Sequence, residues 1–425
     1  MSDRFRLTLA QLNPTVGDLA GNRAKALAAW EAGREAGADL VALPEMFITG
    51  YNTQDLVLKP VFHRAAMDAV ESLAEKCAEG PAIALGGPWV DDGKLYNAYL
   101  ILKGGRITSK VLKHHLPNET VFDEVRLYDA GPLGGPYSVG NFRIGSPICE
   151  DGWHPDVAET LEESGAEFLL IPNGSPYFRN KYDVRLNHMV ARVVEPGLPL
   201  IYLNMVGGQD DQVFDGASFG LNPGGELAFR MPVFDEVIAQ VDLERGDDGW
   251  RIVPAEIVPQ PDVWGQDYRA MVQSLRDYMG KTGFKKAVLG LSGGIDSALV
   301  ATIAVDAIGA DNVRCVMLPS EYTSQASLDD AEAVAKALEA GKEPADDKAV
   351  QTLLTRERLA DPKLTGRLRS QAVRGRVEAL VDGTDEILAA LATVVDNASE
   401  VIQVDAERNA GWSSSRLDGP LLDPG

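Results

Sequence analysis

The sequence has few cysteines and no long apolar run. Its three cysteines, Cys77, Cys149 and Cys315, are odd in number and far apart in the chain, which excludes a disulfide framework and a paired-cysteine metal site. No stretch reaches the roughly 18 consecutive apolar residues of a membrane-spanning helix. The opening residues, MSDRFRLTLAQLNPTVGD, reach polar and turn-forming positions quickly, unlike a secretory signal. These absences predict a cytoplasmic protein without a membrane-spanning segment.

Positive charge is scarce as well. The chain carries 40 Lys and Arg against 63 Asp and Glu, a net charge of −23. Because such a surface repels nucleic acid and anionic membranes, we expect neither as a partner. Nucleotide binding stays compatible with this charge, since a phosphate pocket needs only local donors. The length of 425 residues and the hydrophobic content of 45% predict two or three globular domains.

Short apolar runs alternate with helical stretches, which is typical of an α/β protein with layers of helix around mixed sheets. Residues 97–112 predict a hairpin with Gly104 and Gly105 at its turn. Further strands are predicted at 6–12, 38–45, 81–89, 142–151, 168–175 and 199–208. Helices are predicted at 22–36, 64–78, 156–164, 181–195, 266–282 and 327–340.

Composition divides the chain into four parts. Residues 1–245 form the first predicted domain, and the Pro- and Asp-rich range 246–265 is interpreted as a linker. Residues 284–320 have the strand–loop–helix–strand order of a βαβ unit, within a second domain that we place at 266–341. Residues 342–425 have few aromatic residues and few strand signals, so they are predicted to be a mostly helical tail.

Three residues at predicted strand ends could perform amide hydrolysis together. They are Glu45 in ALPEMF, Lys113 in KHHLPN and Cys149 in GSPICEDGW. A carboxylate can take the thiol proton and leave a nucleophilic thiolate. Attack on an amide then builds an oxyanion, which a fixed ammonium can stabilise. Singly, each residue is more often structural, but the three contexts in this order are specific.

These contexts resemble the nitrilase superfamily over roughly residues 4–245. The resemblance implies an α-β-β-α sandwich, with Glu45 as general base, Lys113 as oxyanion stabiliser and Cys149 as nucleophile. The segments GYNTQDLVLKPVF, LPNETVFDE and NGSPYFRNKYDVR further resemble the glutaminase domain of glutamine-dependent NAD synthetases. That resemblance implies that Ser175 and Lys181 hold glutamine, although SPYF could also be only a turn before a helix. Glu119 stands where the family usually has Tyr, and we expect it at the glutamine pocket too.

The histidines offer a competing hypothesis, a metal site. His114, His115, His154 and His188 fit no common zinc spacing. Adjacent residues of a strand point to opposite sides, so His114 and His115 are expected to diverge. The sequence therefore argues against a histidine metal site. A protease-like pairing of Cys149 with His154 is also disfavoured.

A second constellation, GLSGGIDS at 290–297, lies between a predicted strand and a predicted helix. Small residues let the backbone approach a phosphate, and a helix N-terminus offers free N–H groups. Asp296 offers the oxygen ligand that Mg²⁺ prefers. The string is neither a Walker A loop nor a GxGxxG fingerprint. A generic glycine-rich turn remains the alternative.

The string SGGIDS resembles the loop of N-type ATP pyrophosphatases, which adenylate a carboxylate. The resemblance implies a partial doubly wound parallel sheet that binds ATP and Mg²⁺. It assigns ATP contacts to Gly290, Ser292, Gly293, Gly294, Asp296 and Ser297, with Asp296 also at the metal. Met317 would lie near the adenine, although a core methionine is an equally good interpretation.

Together the two resemblances imply a glutamine-hydrolysing, ATP-dependent C–N ligase of the glutamine-dependent NAD synthetase family. Its substrates would be glutamine and deamido-NAD, and it would form a homo-oligomer. Family motifs expected after residue 341 are not found in 342–425, which could be a divergent replacement, a truncation or a reading-frame error. Two alternatives follow: a nitrilase-type glutaminase or amidase with a non-functional synthetase remnant, and an inactive scaffold.

Overall fold

A computed structural model of the chain describes residues 4–317 and 323–339. The predicted tail at 342–425 lies outside the described residues. The chain divides into two compact units, one ending at Lys285 and the other beginning at Lys286. The helices are α1 Leu19–Glu35, α2 Pro60–Lys76, α3 Glu124–Leu127, α4 Pro155–Glu163, α5 Lys181–Val194, α6 Val263–Thr282, α7 Ile295–Ile308 and α8 Gln325–Glu339.

The strands largely follow the predicted order but exceed the predicted number. They are β1 Arg4–Gln11, β2 Leu40–Ala42, β3 Ala82–Asp91, β4 Lys94–Lys103, β5 Arg106–Leu112, β6 Tyr137–Val139, β7 Phe142–Gly145, β8 Phe168–Asn173, β9 Leu200–Asn204, β10 Val206–Gln209, β11 Gln212–Asp215, β12 Phe219–Asn222, β13 Glu226–Arg230, β14 Val237–Gly246, β15 Gly249–Ile252, β16 Ala287–Gly290 and β17 Val313–Val316. Two of them, β14 and β15, pair within the range where the sequence indicated a domain end and a linker.

Two sheets form the first unit. The seven-stranded sheet has the order β15-β14-β1-β2-β3-β4-β5, and the six-stranded sheet has the order β13-β12-β9-β8-β7-β6. Apolar residues of both sheets, such as Leu7 and Leu170, share one buried cluster between them. Parallel strands buried on both faces read as nearly continuous apolar runs, which explains segments such as LVA and FLLIPN.

Helices cover the outer faces of these sheets. Trp30 of α1 and Leu73 of α2 join a buried cluster with Ile83 on the first sheet. Met189 and Val193 of α5 pack with Leu169 on the second sheet. The first unit is therefore an α-β-β-α sandwich, as the sequence predicts. Among the described residues, no helix has both the length and the apolar character needed to cross a bilayer.

The second unit, as far as it is described, is a βαβ arrangement. Strands β16 and β17 pair in parallel, with Gly290 opposite Val316. Leu291, Ala301 of α7 and Ala331 of α8 share a small buried cluster. This matches the strand–loop–helix–strand order predicted for residues 284–320.

Candidate active site

Glu45 and Lys113 form a buried ion pair at one end of the first sheet. Glu45 follows β2, Lys113 follows β5, and neither side chain is exposed to solvent. Lys113 Nζ donates to Glu45 Oε1 at 2.7 Å, while the backbone N–H of Gly174 donates to Glu45 Oε2 at 2.7 Å. A side chain at Gly86 would collide with the Glu45 backbone, since its Cβ would lie 2.5 Å from the Glu45 carbonyl carbon. Gly86 therefore allows the Glu45 loop to approach β3 closely.

Cys149 lies just beyond the end of β7 in the second sheet. The predicted strand 142–151 is wrong beyond Gly145, because the chain turns into a 3-10 helix at Cys149–Trp153. Cys149 has a φ of +48°, a left-handed conformation that is costly for a non-glycine residue and is often found at functional sites. The thiol is buried. Burial and the nearby Glu45 carboxylate raise the pKa of Cys149 well above its usual range, against the charge of Lys113.

The cluster includes a residue that sequence reasoning missed. Glu124, at the start of α3, is fully buried, and its Oε2 lies 2.8 Å from Lys113 Nζ. Its Oε1 accepts hydrogen bonds from the Tyr51 hydroxyl at 2.9 Å and from Asn97 Nδ2 at 3.1 Å. Burial raises the pKa of Glu124, although the Lys113 charge opposes that rise. For Lys113 burial favours the neutral form, but Glu124 and Glu45 outweigh it and raise its pKa.

Asp151 connects the two loops that carry Lys113 and Cys149. Its Oδ1 accepts the backbone N–H groups of His114 at 3.1 Å and His115 at 2.7 Å. Its Oδ2 accepts the backbone N–H of Ile148 at 3.0 Å. Burial raises the pKa of Asp151, and these hydrogen bonds work against the rise. One carboxylate therefore holds the residues that flank both candidate catalytic groups.

The predicted glutamine pocket residues differ in their surroundings. Ser175 is buried, and its Oγ accepts a hydrogen bond from Arg185 Nε at 3.2 Å. Lys181 opens α5, with Nζ 4.5 Å from the ring centre of Trp153, which ends the helical turn that begins at Cys149. Burial lowers the pKa of Lys181, as does the charge of Arg185. Glu119 instead lies exposed on the loop between Lys113 and Glu124.

Arg185 is another residue that sequence reasoning missed. It is fully buried, and it donates to Asp215 Oδ2 at 2.8 Å and to the carbonyl of Ser175 at 2.7 Å. An arginine within an ordinary amphipathic helix pattern gives no signal of such burial. Its position fixes the backbone of the predicted glutamine-binding segment.

The histidine expectation is wrong in one respect. The rings of His114 and His115 do not diverge, and their centroids lie 4.6 Å apart. The reason is that β5 ends at Leu112, so the alternation of a strand does not extend to these residues. His115 also stacks on His154 at 3.9 Å.

The predicted phosphate loop joins β16 to α7. The Oγ atoms of Ser292 and Ser297 lie 3.1 Å apart, and the backbone N–H of Ser292 donates to Ser297 Oγ at 3.2 Å. Gly294 precedes the helix, and Asp296 is exposed in its first turn. Gly293 has a φ of +78°, and a Cβ there would lie 2.2 Å from the Ser327 carbonyl. These small residues, hydroxyls and the exposed carboxylate fit an Mg²⁺-bound phosphate.

Two more predicted ATP residues lie beside this loop. Gly290 ends β16, and its strand neighbour Val316 immediately precedes Met317. The Leu291 N–H donates to the Val316 carbonyl at 3.0 Å. Met317 is 43% exposed, and both its place near the adenine and its alternative as a core methionine stay predictions.

Comparisons with known proteins agree with this architecture. The carbon–nitrogen hydrolase family model matches residues 6–248, and the NAD synthase family model matches residues 267–393. An amidase from Nesterenkonia sp. is 22% identical with a TM-score of 0.51, covering 56% of this chain and 90% of that chain, and it shows the shared fold. The first unit is thus of the carbon–nitrogen hydrolase class.

Relatives that match both units define the family. The chain is 63% identical over 338 residues to a glutamine-dependent NAD(+) synthetase from Rhodobacter capsulatus, covering 80% of this chain and 61% of that protein. A structure of the glutamine-dependent NAD+ synthetase from Acinetobacter baumannii in complex with ADP has a TM-score of 0.75 and 32% identity, covering 85% of this chain and 72% of that chain. The chain belongs to the glutamine-dependent NAD(+) synthetase family. It spans less than two thirds of the length of the Rhodobacter protein.

Proposed function

We propose that the chain hydrolyses glutamine at Cys149 and uses the ammonia, with ATP, to convert deamido-NAD to NAD. The buried cluster of Glu45, Lys113 and Cys149 in a chain of this family is the observation that carries the proposal. The phosphate loop at 290–297 supports the second half of the reaction. The NAD synthase match extends to residue 393, past the point where recognisable motifs end, and it favours a ligase over a glutaminase with a remnant domain.

The geometry supports a two-step hydrolysis of glutamine. Glu45 takes the proton of the Cys149 thiol, and the sulfur attacks the side-chain carboxamide carbon. The resulting oxyanion faces the ammonium of Lys113, which remains charged between its two carboxylates. The C–N bond then breaks as the nitrogen takes the proton held by Glu45, releasing ammonia. Water, activated by Glu45, cleaves the thioester to glutamate and restores the thiol.

Glutamine itself would be held beside Cys149. Ser175 follows β8, and Lys181 is the first residue of α5. Both elements adjoin the Cys149 turn. The Lys181 ammonium suits the substrate carboxylate, and Glu119 on the exposed loop suits its α-amino group. Arg185 would act through Ser175, since it binds both the hydroxyl and the carbonyl of that residue.

The second half would bind ATP at the loop between β16 and α7. Ser292 and Ser297 offer hydroxyls, and Gly293 and Gly294 offer backbone N–H groups at the helix N-terminus. Asp296 would hold Mg²⁺, which when bound neutralises phosphate charge. Met317 would contact the base. The deamido-NAD carboxylate would attack the α-phosphate of ATP and release pyrophosphate, and ammonia would then displace AMP to form the amide. A homo-oligomer and a cytoplasmic location stay predictions.

The test is NAD formation by the purified chain with deamido-NAD and Mg–ATP, supplied with either glutamine or ammonia. We expect Cys149→Ala to abolish glutamine-driven synthesis and to leave ammonia-driven synthesis intact. Cys77→Ala is the matched control, because Cys77 is a buried thiol at the end of α2, away from this cluster.

Two results would contradict the proposal. Glutamine hydrolysis without NAD formation from ammonia would leave only a glutaminase with a remnant domain. Loss of both activities in Cys149→Ala, with native circular dichroism, would refute the assignment of two separate sites.

A further inference from the structure

A cluster of imidazoles and carboxylates adjoins the Cys149 loop. Ligand atoms of His114, His115 and Asp156 all lie within 4.8 Å of one another. The two histidines follow Lys113, and Asp156 lies in the first turn of α4. All three are partly exposed, so an ion from solvent can reach them. The mechanism described above uses none of these side chains.

The hydrogen bonds prepare these groups to bind a metal. His114 Nδ1 lies 2.7 Å from the carbonyl oxygen of Gly131, which can only accept a hydrogen bond, so Nδ1 carries the proton. The neutral ring therefore presents Nε2 as a lone pair. A histidine whose second nitrogen is held by a backbone carbonyl is the usual arrangement around bound metals. His115 Nε2 forms a hydrogen bond with Asp156 Oδ1 at 2.9 Å, and a bound ion would take the place of the proton between these two ligands.

A second layer adds negative charge and a further imidazole. His154 stacks on His115 with ring centroids 3.9 Å apart, and its Nε2 is 3.5 Å from Glu150 Oε1. The ring of His188 packs against the neighbouring ring of Trp153, with their centroids 4.3 Å apart. Four of the five histidines of the chain thus surround the Cys149 turn. The ion pair of His115 with Asp156 involves only one of these four histidines.

We propose that His114, His115 and Asp156 form a site for a transition-metal dication of the zinc class. Two imidazoles and one carboxylate, with a position left for water, suit Zn²⁺ rather than Mg²⁺ or Ca²⁺, which prefer oxygen ligands alone. The bound ion would join the segment after Lys113 to the helix after Cys149. The proposal does not depend on glutaminase activity, because it concerns ion binding by side chains outside that site.

The experiment measures Zn²⁺ binding to the full chain in a Cys149→Ala background, which removes the thiol on the loop next to the cluster. The protein is stripped with a chelator and titrated calorimetrically with Zn²⁺ in excess Mg²⁺, which occupies oxygen-rich sites. We expect one tight ion per chain. Adding His114→Ala or Asp156→Ala should weaken binding by more than about tenfold. Adding His63→Ala should leave the binding unchanged, because His63 lies on α2 and its ring contacts the Val57 carbonyl, away from the cluster.

Cobalt provides a measurement that needs no substitution in the cluster. Co²⁺ added to the Cys149→Ala chain should give the d–d bands of nitrogen and oxygen ligands without a thiolate charge-transfer band. A thiolate band would assign the ion to Cys77 or Cys315 and overturn the proposal. It would also be overturned by the absence of saturable Zn²⁺ binding, or by equal binding in the His114 and Asp156 variants.

Discussion

Lys113 contacts two buried carboxylates rather than one. Its Nζ is 2.7 Å from Glu45 and 2.8 Å from Glu124, and all three side chains are inaccessible to solvent. A buried cation is stable only when it is paired, and a missing partner leaves an uncompensated charge. With Glu124 pairing Lys113, Glu45 can take the Cys149 proton while the ammonium stays charged. We infer that Glu124 keeps Lys113 charged and in position.

Replacing Glu124 with Gln should therefore impair glutamine hydrolysis. We expect the kcat for glutamate release to fall about a hundredfold, because one carboxylate must then both pair Lys113 and accept the thiol proton. Ammonia-driven NAD synthesis should not change. Steady-state kinetics with both nitrogen sources measure this, and Asp123→Asn, an exposed neighbour, is the matched control. A Glu124→Gln enzyme within threefold of the parent would rule out this role.

The sequence identifies Glu45, Lys113 and Cys149 from short local contexts. In the structure Glu45 and Lys113 are in contact with each other, and Cys149 lies nearby. The sequence does not identify Glu124, even though the segment LPNETVFDE is itself distinctive. A glutamate beside Asp123 at a helix start resembles a solvated residue. Its burial depends on Tyr51 and Asn97, which are 73 and 27 positions away. Such long-range contacts cannot be read from one sequence.

At the scale of elements, the two loops that carry the candidate catalytic residues Lys113 and Cys149 depend on one side chain. Asp151 accepts N–H groups from the loop after β5 and from the residue before Cys149. We expect Asp151→Asn to lower kcat roughly ten- to a hundredfold with little change in KM, because an amide NH₂ would face a backbone N–H and displace a loop. Rates of Cys149 alkylation by iodoacetamide should change in parallel. Glu150→Gln, one position earlier, is the control, and equal effects of the two substitutions would refute the loop-linking role.

Strand β14 shows why the end of the first domain was hard to predict. Its charged segment VDLERG lacks the apolar run of the buried strands, and it turns through Asp247 and Asp248 into β15. The pairing with β1 is reinforced by charge, since Asp242 Oδ1 accepts from Arg6 Nε at 2.8 Å across the two strands. Strands that pair across such a long sequence separation, as β1 and β14 do, give no local signal.

The Arg6–Asp242 pair also predicts a pH dependence. The hydrogen bond from Arg6 lowers the pKa of Asp242 to about 2, against an unfolded value near 3.9. A carboxyl group whose pKa is lowered by folding stabilises the folded state at pH values above its pKa in the unfolded chain. That contribution is lost as the pH falls from about 4 to about 2. Asp242→Asn should lower the free energy of unfolding by at most about 1 kcal/mol at pH 7, because the pair is partly exposed.

Urea unfolding of the parent chain and of the Asp242→Asn variant from pH 7 down to pH 3 tests the predicted pH dependence. The difference between their free energies of unfolding should stay constant down to about pH 5 and narrow below about pH 4. Glu159→Gln, an exposed substitution on α4, should show no such narrowing. A difference that grows as the pH falls would contradict the predicted sign.

At the scale of the whole molecule, the sequence places a domain start at residue 266, while the first compact unit extends to Lys285. Helix α6 lies in that first unit: Lys281 Nζ donates to the carbonyls of Pro14 and Gly208, each at 2.8 Å. Asp277 likewise accepts from Asn13 at 2.8 Å. A single amphipathic helix packs equally well on either neighbour, so its sequence could not decide this. The domain boundaries themselves stay a prediction.

Two compact units with one candidate site each imply that the two half-reactions can be separated by substitution. Asp296 lies in the first turn of α7, exposed, in the unit that begins at Lys286, whereas the Cys149 cluster lies in the other. Asp296→Ala should therefore abolish NAD synthesis from glutamine and from ammonia alike, because both routes of the proposed reaction use Mg–ATP, while glutamate release continues. Assays of NAD and glutamate in the same reaction measure both halves, with the exposed Asp311→Asn as control. Synthesis that survives in Asp296→Ala would remove this carboxylate from the metal site and leave the loop backbone and serines as the phosphate contacts.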